Sequence, residues 1–558
     1  MDDKPINRRQ RILARTSALW KERASWVTHW REISEYQQPR AGRFVVTDRN
    51  RGDKRANHIL DNTAVFGART LAAGLMSGVT SPARPWFRLA TADPEMMASE
   101  PVKVWLHDVQ RLVLDVFARS NTYRALHSMY EELGAYGTSA SIIVDDFDSV
   151  IHHHTLTAGE YAIASDYRGK VQTLYREFDL TVAQMVGEFG RDKVSQSVRT
   201  LFDRGNLDAW VPVIHAIEPR SDRDARKRDA QNMAWKSVYF EPGCEAGRYL
   251  SESGFEQFPA LVPRWAASGG DIYGNSPGME ALGDIRQLQH EQLRKAQGID
   301  YMTKPPLQVP TSMKNRDLDT LPGGVSFVDT ASPTGGIRTA FEVRLDLNHL
   351  LMDIQDVRER VRSTFYADLF LMLAGSDRTN MTATEVAERH EEKLLMLGPV
   401  LERLHNELLD PFIEMTFARL VRAGALPPPP PELQGMDINV EFVSMLAQAQ
   451  RAVGTNSIDR FVGNLGMVAQ MKPEVLDRFD ADQYAEIYGD MLGVDPRLIV
   501  ADDKVALIRQ QRAEVAQQQA QAEQMAQGAQ AARNLAAADT SGQNALTDVM
   551  QAFSGYTT

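Results

Sequence analysis

Apolar and aromatic positions return at helical spacing through much of the chain. From about residue 7 to residue 36, Leu13, Trp20, Val27, Trp30 and Ile33 recur every three, four or seven positions, with Arg8, Arg9, Arg11, Arg15, Lys21, Arg23 and Arg31 between them. That pattern predicts one long amphipathic helix with a basic face. Such a face could meet DNA or a membrane surface, although a solvated face or a subunit contact is the commoner cause of charge in this arrangement. Further helices are predicted over about 57–77, stopped by Ser81, Pro82 and Pro85, and over 101–134. WFRL at 86–89 then opens an extended stretch. Between about 138 and 265 the period shortens to two in SASIIVDDF, VQTLYREF, WVPVIHAIEP and WKSVYF, which Gly, Asp and Pro separate. Helices flanking a β-rich region define an α+β, mainly helical fold class.

After GNSPG at 274–278 the helical period resumes, with Leu282, Ile285, Leu288 or Gln289, Gln292 and Ala296 on one side, until Pro305, Pro306 and Pro310. The Pro-, Gly- and Thr-rich stretch to about Glu342 contains VSFVD and reads as a small β module. Leu347, Leu350, Ile354, Val357, Val361 and Phe365 then keep near-heptad spacing, so the order is helix, β insertion, helix. Another helix opens at Thr382 and Glu385, at capping-box spacing, and runs through Leu394, Leu397, Leu401, Leu404 and Leu408 to about Arg422. Pro399 and Pro411 should kink it, because each lacks an N–H and crowds the preceding turn. PPPPP at 427–431 reads as a stiff spacer. From Lys504 to about Ala538 the chain is Ala-, Gln- and Glu-rich, enough for a helix of about 50 Å. Its thin stripe of Ile508, Val515 and Ala522, seven apart, suits a parallel neighbour from another chain; a frayed helix or flexible tail is the other reading.

Composition narrows the function more than the fold. The 558 residues are 43% hydrophobic and 24% charged, ordinary for globular proteins, and give about three or four domains' worth of chain. With 62 Lys and Arg against 74 Asp and Glu, the net charge of −12 argues against a surface that grips phosphates everywhere. Cys244 is the single cysteine, which excludes an intrachain disulfide and a CxxC site and suits a reducing compartment. The N-terminal segment lacks the apolar core of a secretory signal, and LFLMLAG at 369–375 is too short to span a bilayer.

Candidate chemistry is sparse. GNSPG fits the G-x-S-x-G nucleophile elbow with Ser276 as nucleophile, but the residue whose N–H should help bind the oxyanion is Pro277, so a turn before a helix explains it better. His152, His153 and His154 are consecutive and in a strand would alternate faces, so all three cannot easily hold one metal ion. Asp145, Asp146 and Asp148 form an acidic run, more often a solvated turn than a cation site. HExxH, Walker A and GxGxxG sequences are absent. No constellation points to catalysis, a metal or a cofactor.

Several stretches together resemble the head-to-tail connector, or portal, proteins of short-tailed bacteriophages: LAAGLMSGVTSPARPWFRL (71–89), AYGTSA (135–140), YREFDLTVAQM (175–185), YGNSPGMEALGDIRQLQ (273–289), KPPL (304–307) and MTATEVAERHEEKLLMLGPVLERLHNELLDPFIEMTF (381–417). The resemblance spans about residues 10–420 and is weak beyond 430. It implies a portal-type subunit in a ring of about twelve copies at one capsid vertex. Double-stranded DNA is packaged through such a ring by a separate terminase and later ejected. Carried over by position, residues 1–275 would be the wing, 276–300 and 345–368 the stem helices, and 301–344 the clip. Residues 369–381 would be the tunnel-loop region, 382–425 a long kinked helix, 432–503 the crown, and 504–558 a C-terminal helical barrel or flexible tail. The DNA-facing loop would comprise Leu373, Ala374, Gly375, Ser376, Asp377, Arg378, Thr379, Asn380 and Met381.

The implied partners are double-stranded DNA, the terminase large subunit, a tail adaptor, and the major capsid and scaffolding proteins, with no membrane. The implied location is the virion's portal vertex, reached from the host bacterial cytoplasm during assembly. About twelve helices spaced roughly 9 Å apart enclose a circle about 35 Å across, with an opening of about 25 Å once helix thickness is removed, enough for a duplex. A conduit must let DNA slide, which suits a net acidic chain. Two alternatives stand beside this reading. One is a DNA-binding packaging or tail adaptor protein without a channel. The other is a serine hydrolase at Ser276.

Overall fold

The computed structural model describes residues 5–45, 58–91, 93, 96, 99–224, 226–227, 229–243, 249–309, 338–339, 347–374, 396–433, 438–442, 461–470, 472–492, 498, 500 and 502–536. The N-terminal amphipathic segment forms α1 (Pro5–Glu22) and α2 (Ala24–Tyr36), separated at Arg23. Its apolar side is buried through Ile12, Leu19, Trp30 and Ile33. The basic face is divided rather than uniformly solvated. Arg11, Arg15, Lys21 and Arg31 are exposed, whereas Arg9 and Arg23 are buried. Arg9 donates to the Glu241 carbonyl at 2.9 Å, and Arg23 to the carbonyls of Gly159, at 2.9 Å, and Tyr161. A long aliphatic stem lets arginine cross an apolar layer and still deliver its donors to carbonyls.

Helix α3 (Thr63–Gly78) begins six residues later than its sequence pattern suggests, after Asp61, and buries the small residues Ala64, Gly67, Ala68, Ala72, Gly74 and Gly78. Small residues on one face let neighbouring helices approach closely. The helix expected over 101–134 is two helices, α4 (Glu100–Arg119) and α5 (Thr122–Tyr136). The break joins a local bond to a distant one: Ser120 Oγ bonds Thr122 Oγ1 at 2.6 Å, and the Asn121 amide group pairs with both the N–H and the C=O of His153 at 2.9 Å. Ser and Asn side chains offer the backbone such alternatives to helix. Between α3 and α4 lies β1 (Phe87–Thr91).

The β-rich region is antiparallel throughout. Strands β2 (Ala140–Asp146) and β3 (Val150–Leu156) form a hairpin, and β2 also pairs with the short β9 (Ala260–Leu261). A five-stranded meander follows in the order β4 (Tyr161–Ser165), β5 (Val171–Thr181), β6 (Trp210–Pro219), β7 (Trp235–Phe240) and β8 (Ser251–Phe255). The four β pieces read from the sequence are β2, β5, β6 and β7, while β3, β4 and β8 were not singled out. Ile12 and Leu19 of α1 pack on the sheet with Ala162, Tyr175, Ile214 and Phe240. Two short helices, α6 (Val182–Phe189) and α7 (Gln196–Asp203), close a separate cluster around Val213.

The helix, insertion, helix order holds in the described residues. One turn, α8 (Pro277–Glu280), leads into α9 (Leu282–Thr303). The pair β10 (Leu307–Gln308) and β11 (Arg338–Thr339) stands between α9 and α10 (Leu347–Thr364). VSFVD and most of the 301–344 insertion lie outside the described residues, as do Thr382 and Glu385. After α10 comes α11 (Ala367–Ala374).

The chain is helical over 396–404, takes the wider π form over His405–Leu409, and continues as α12 (Asp410–Arg422). The expected disruption by Pro411 thus takes the form of a π segment. Asp410 N–H bonds the His405 carbonyl, five residues back, and the wider turn gives the Pro411 ring room. Past the proline run, β12 (Ile438–Phe442) pairs antiparallel with β1, Phe87 opposite Phe442. The C-terminal part contains helical residues 461–470, α13 (Ala481–Leu492) and α14 (Asp502–Ala536). The fold is mixed α+β, mostly helical, with antiparallel sheets.

Candidate functional site

The antiparallel helices α9 and α10 are held as a pair by polar groups as well as by their apolar sides. Ile354, Val357, Val361 and Phe365 turn inward with Ile285 and Leu288. On the side of α10 that meets α9, Arg360 pairs with Asp284 at 3.3 Å. Glu291 is buried, accepts a 2.6 Å bond from Gln287, and has no donor at its second carboxyl oxygen. Burial, together with the Asp353 carboxylate, pushes Glu291 above the usual carboxylate range.

Asp61 ties this pair to α3. One carboxyl oxygen accepts from the N–H and hydroxyl of Thr63, at 2.9 and 2.5 Å, covering the start of α3. The other accepts two bonds from Arg358, at 2.9 and 2.7 Å, and one from Gln292 at 3.1 Å. Gln289 closes the junction by accepting from the N–H groups of Leu60 and Asp61 and donating to the Asp61 carbonyl at 2.9 Å. Burial alone would raise the Asp61 carboxyl, but the bonds from Thr63 and Arg358 outweigh it and hold it below the usual range.

Helices α10 and α11 meet at Tyr366, which has φ +54°, the left-handed region that non-glycine residues seldom enter. The joint is locked from behind by α3. Gly67 and Gly74, two turns apart, are the slots for Phe365 and Phe370. A Cβ on Gly74 would come within 2.1 Å of the Phe370 ring, and one on Gly67 within 2.9 Å of the Phe365 ring. Of the nine residues of the expected DNA-facing loop, Leu373 and Ala374 end α11, and Gly375 to Met381 lie outside the described residues. Asp61, Gly67, Gly74 and Tyr366 were not marked by sequence reasoning. The LAAG of the 71–89 stretch contained one of them.

Ser276 is a helix cap and not a nucleophile. Its hydroxyl accepts from the Met279 N–H at 3.0 Å and donates to the Ala135 carbonyl at 2.7 Å, fully buried. The two glycines of the motif are packing positions. A Cβ on Gly274 would lie 2.3 Å from the Gly137 carbonyl, and one on Gly278 2.4 Å from Gln37. AYGTSA and YGNSPG are therefore pressed against each other, and the hydrolase alternative fails because the hydroxyl proton is already committed to a backbone carbonyl and, among the described residues, no histidine bonds it.

The histidine run is divided by the strand pleat. His153 is buried against Thr122 and Phe412, and burial, then the charges of His152, Arg419 and His154, push it down to about 3. His152 and His154 share the other face with ring centroids 5.0 Å apart. Asp145 pairs with Arg419 at 2.6 Å, and Asp146 accepts from Ser149 in the hairpin turn. Among the described residues no group of three or more His, Cys, Asp or Glu side chains could hold a metal ion, and no helix is long and apolar enough to cross a membrane.

Residues 9–500 match the family described as bacteriophage head to tail connecting protein. A protein described as a probable portal protein of Bordetella phage BPP-1 is 68% identical over 549 residues, 98% of this chain and 99% of that protein. The portal protein of Salmonella phage epsilon15 is 45% identical over 546 residues, 98% of both chains. A chain in the solved virion of a native gene transfer agent particle is 11% identical, with a TM-score of 0.37, over 82% of this chain and 98% of that one.

Proposed function

The chain belongs to the bacteriophage head-to-tail connecting protein family, the portals of tailed phages, and on that premise we propose how its helices build a conduit. The family is one of structural proteins, not enzymes. About twelve copies close into a ring at one capsid vertex, with α9 and α10 as the stem and the insertion between them as the clip. The terminase large subunit docks there during packaging and a tail adaptor afterwards, while the capsid and scaffolding proteins surround the wing. Assembly takes place in the bacterial cytoplasm.

The observation that carries this reading is the third face of α10. One face is apolar and inward, a second meets α9, and the remaining stripe of Asn348, Met352, Gln355, Glu359 and Ser363, spaced four, three, four and four, is exposed. It holds a carboxylate and no cation. A channel lined by such faces repels phosphates weakly and contributes few counterion-releasing contacts, so a duplex slides. Arg358 and Arg360 are already engaged by Asp61 and Asp284.

In this reading the segment from Gly375 to Met381, which follows the end of α11 at Leu373 and Ala374, meets DNA at the inner end of the stem. Arg378→Glu should therefore leave ring assembly intact and reduce DNA packaging or retention; loss of the ring would remove the loop from the channel. The ring itself is tested by native mass spectrometry of the nucleic-acid-free protein, checked by negative-stain images. A species near twelve copies of 62.4 kDa with a central hole is expected. A monomer or dimer that binds DNA with a steep salt slope would fit the non-channel adaptor alternative.

A further inference from the structure

A groove of about 730 Å³ opens between α3, α10 and α11. Leu60, Phe66 and Leu371 converge on it while 54%, 61% and 59% exposed, and Arg362 and Asp368 stand on its margin. Three large apolar side chains left open on one groove mark a contact surface. The placement of that groove around α10 points to what fills it. Arg360 faces α9 through Asp284, and Arg362, two residues on at about 100° per residue, lies about 160° away, beside the groove. On α9, Glu291 lies on the α10 side and Leu293, again two residues on, points about 160° away, exposed. Tyr301, a little over two turns further, is exposed as well, and exposed Arg294 and Asp300 accompany them.

The helix layer thus ends in two different flanks on opposite sides of α10, each with apolar side chains open to solvent and one charge of each sign beside them. A ring of identical copies joined head to tail needs two such unlike faces, one for each neighbour. Resting on the ring reading above, we propose that the groove between α3, α10 and α11 receives the outer face of α9 from the adjacent copy of this chain. Leu293 stands further along the layer than Arg358, so this contact requires the stem helices to be inclined to the ring axis.

The test uses the full chain and two kinds of variant. Phe66→Glu with Leu371→Glu disables the groove, and Leu293→Glu disables the α9 face. All three positions are exposed, so melting temperature and circular dichroism should stay near wild type. Each variant alone should require at least tenfold higher concentration to form rings and should run as a monomer where the wild type assembles. Mixed together, the two variants should give dimers and stop there, because only one junction in each pair has both faces intact. Phe147→Ser, at an exposed hairpin tip, should assemble as wild type. Wild-type rings together with normal rings from both variants would overturn the groove proposal and leave the ring reading standing. A groove variant that forms rings but loses another partner would also overturn it. A wild-type chain that never assembles would overturn the ring reading and this proposal with it.

Discussion

Gly74 lies where the smallest side chain would already be too large, since an added Cβ overlaps the Phe370 ring at 2.1 Å. The ring belongs to a helix that can only move away, so Gly74→Ala should cost about 1–3 kcal/mol by overpacking. Gly67→Ala, with its nearest contact at 2.9 Å, should cost less. Chemical denaturation of the two variants checks the order, and an equal or inverted order would mean that α11 is not held by this slot.

Glu132 gives a pH signature. It is buried, and its oxygens accept from the Thr157 hydroxyl at 2.6 Å and the Ala158 N–H at 3.1 Å. Burial, and then Glu160 and Glu131 nearby, push its carboxyl up to about 7. A folded pKa above the unfolded one means the folded chain binds the extra proton. The stability Glu132 contributes is full below about 4.5 and is lost as pH rises through about 7. Glu132→Gln should flatten the fall in melting temperature across that window; an unchanged slope would place the titrating group elsewhere. At this scale the sequence showed little, because a glycine or a glutamate is marked only by what packs against it.

Among the elements, long periodic segments were legible and their interruptions were not. The near-heptad of Ile354, Val357, Val361 and Phe365 describes α10 because a buried stripe is a property of one helix alone. The break at Ser120 and Asn121 depends on the backbone of His153, thirty-two residues away, and no periodicity contains that partner. α14 is a sharper case. Its described side chains are exposed except for the half-buried Val505, and the ion pairs Lys504–Glu100 and Arg509–Asp482 lie at its beginning. A lone Ala- and Gln-rich helix of this kind frays without a packed neighbour. If copies pack side by side through the Ile508, Val515 and Ala522 stripe, amide exchange over residues 515–536 should slow at least tenfold in the ring relative to the monomer. Equal exchange in both states would make the segment a free tail.

For the whole molecule, the net charge of −12 is compatible with the proposed conduit, and the relatives, not the charge, supply the family. Ordered stretches from LAAG to the 381–417 segment identified the family from sequence, and some of them are tightly packed in the structure. AYGTSA and YGNSPG, for example, meet as paired backbones with no room for a Cβ. Helical and strand periods and the helix, insertion, helix order were likewise written in the chain, since each is local. Tertiary structure decided the rest: that Arg9 and Arg23 turn inward to carbonyls, that β1 finds β12 from the far end of the chain, that Ser276 is a cap, and that Asp61 joins three helices. Each of these depends on which groups become neighbours after folding, and the distance between them in space is not encoded in the spacing of either along the sequence.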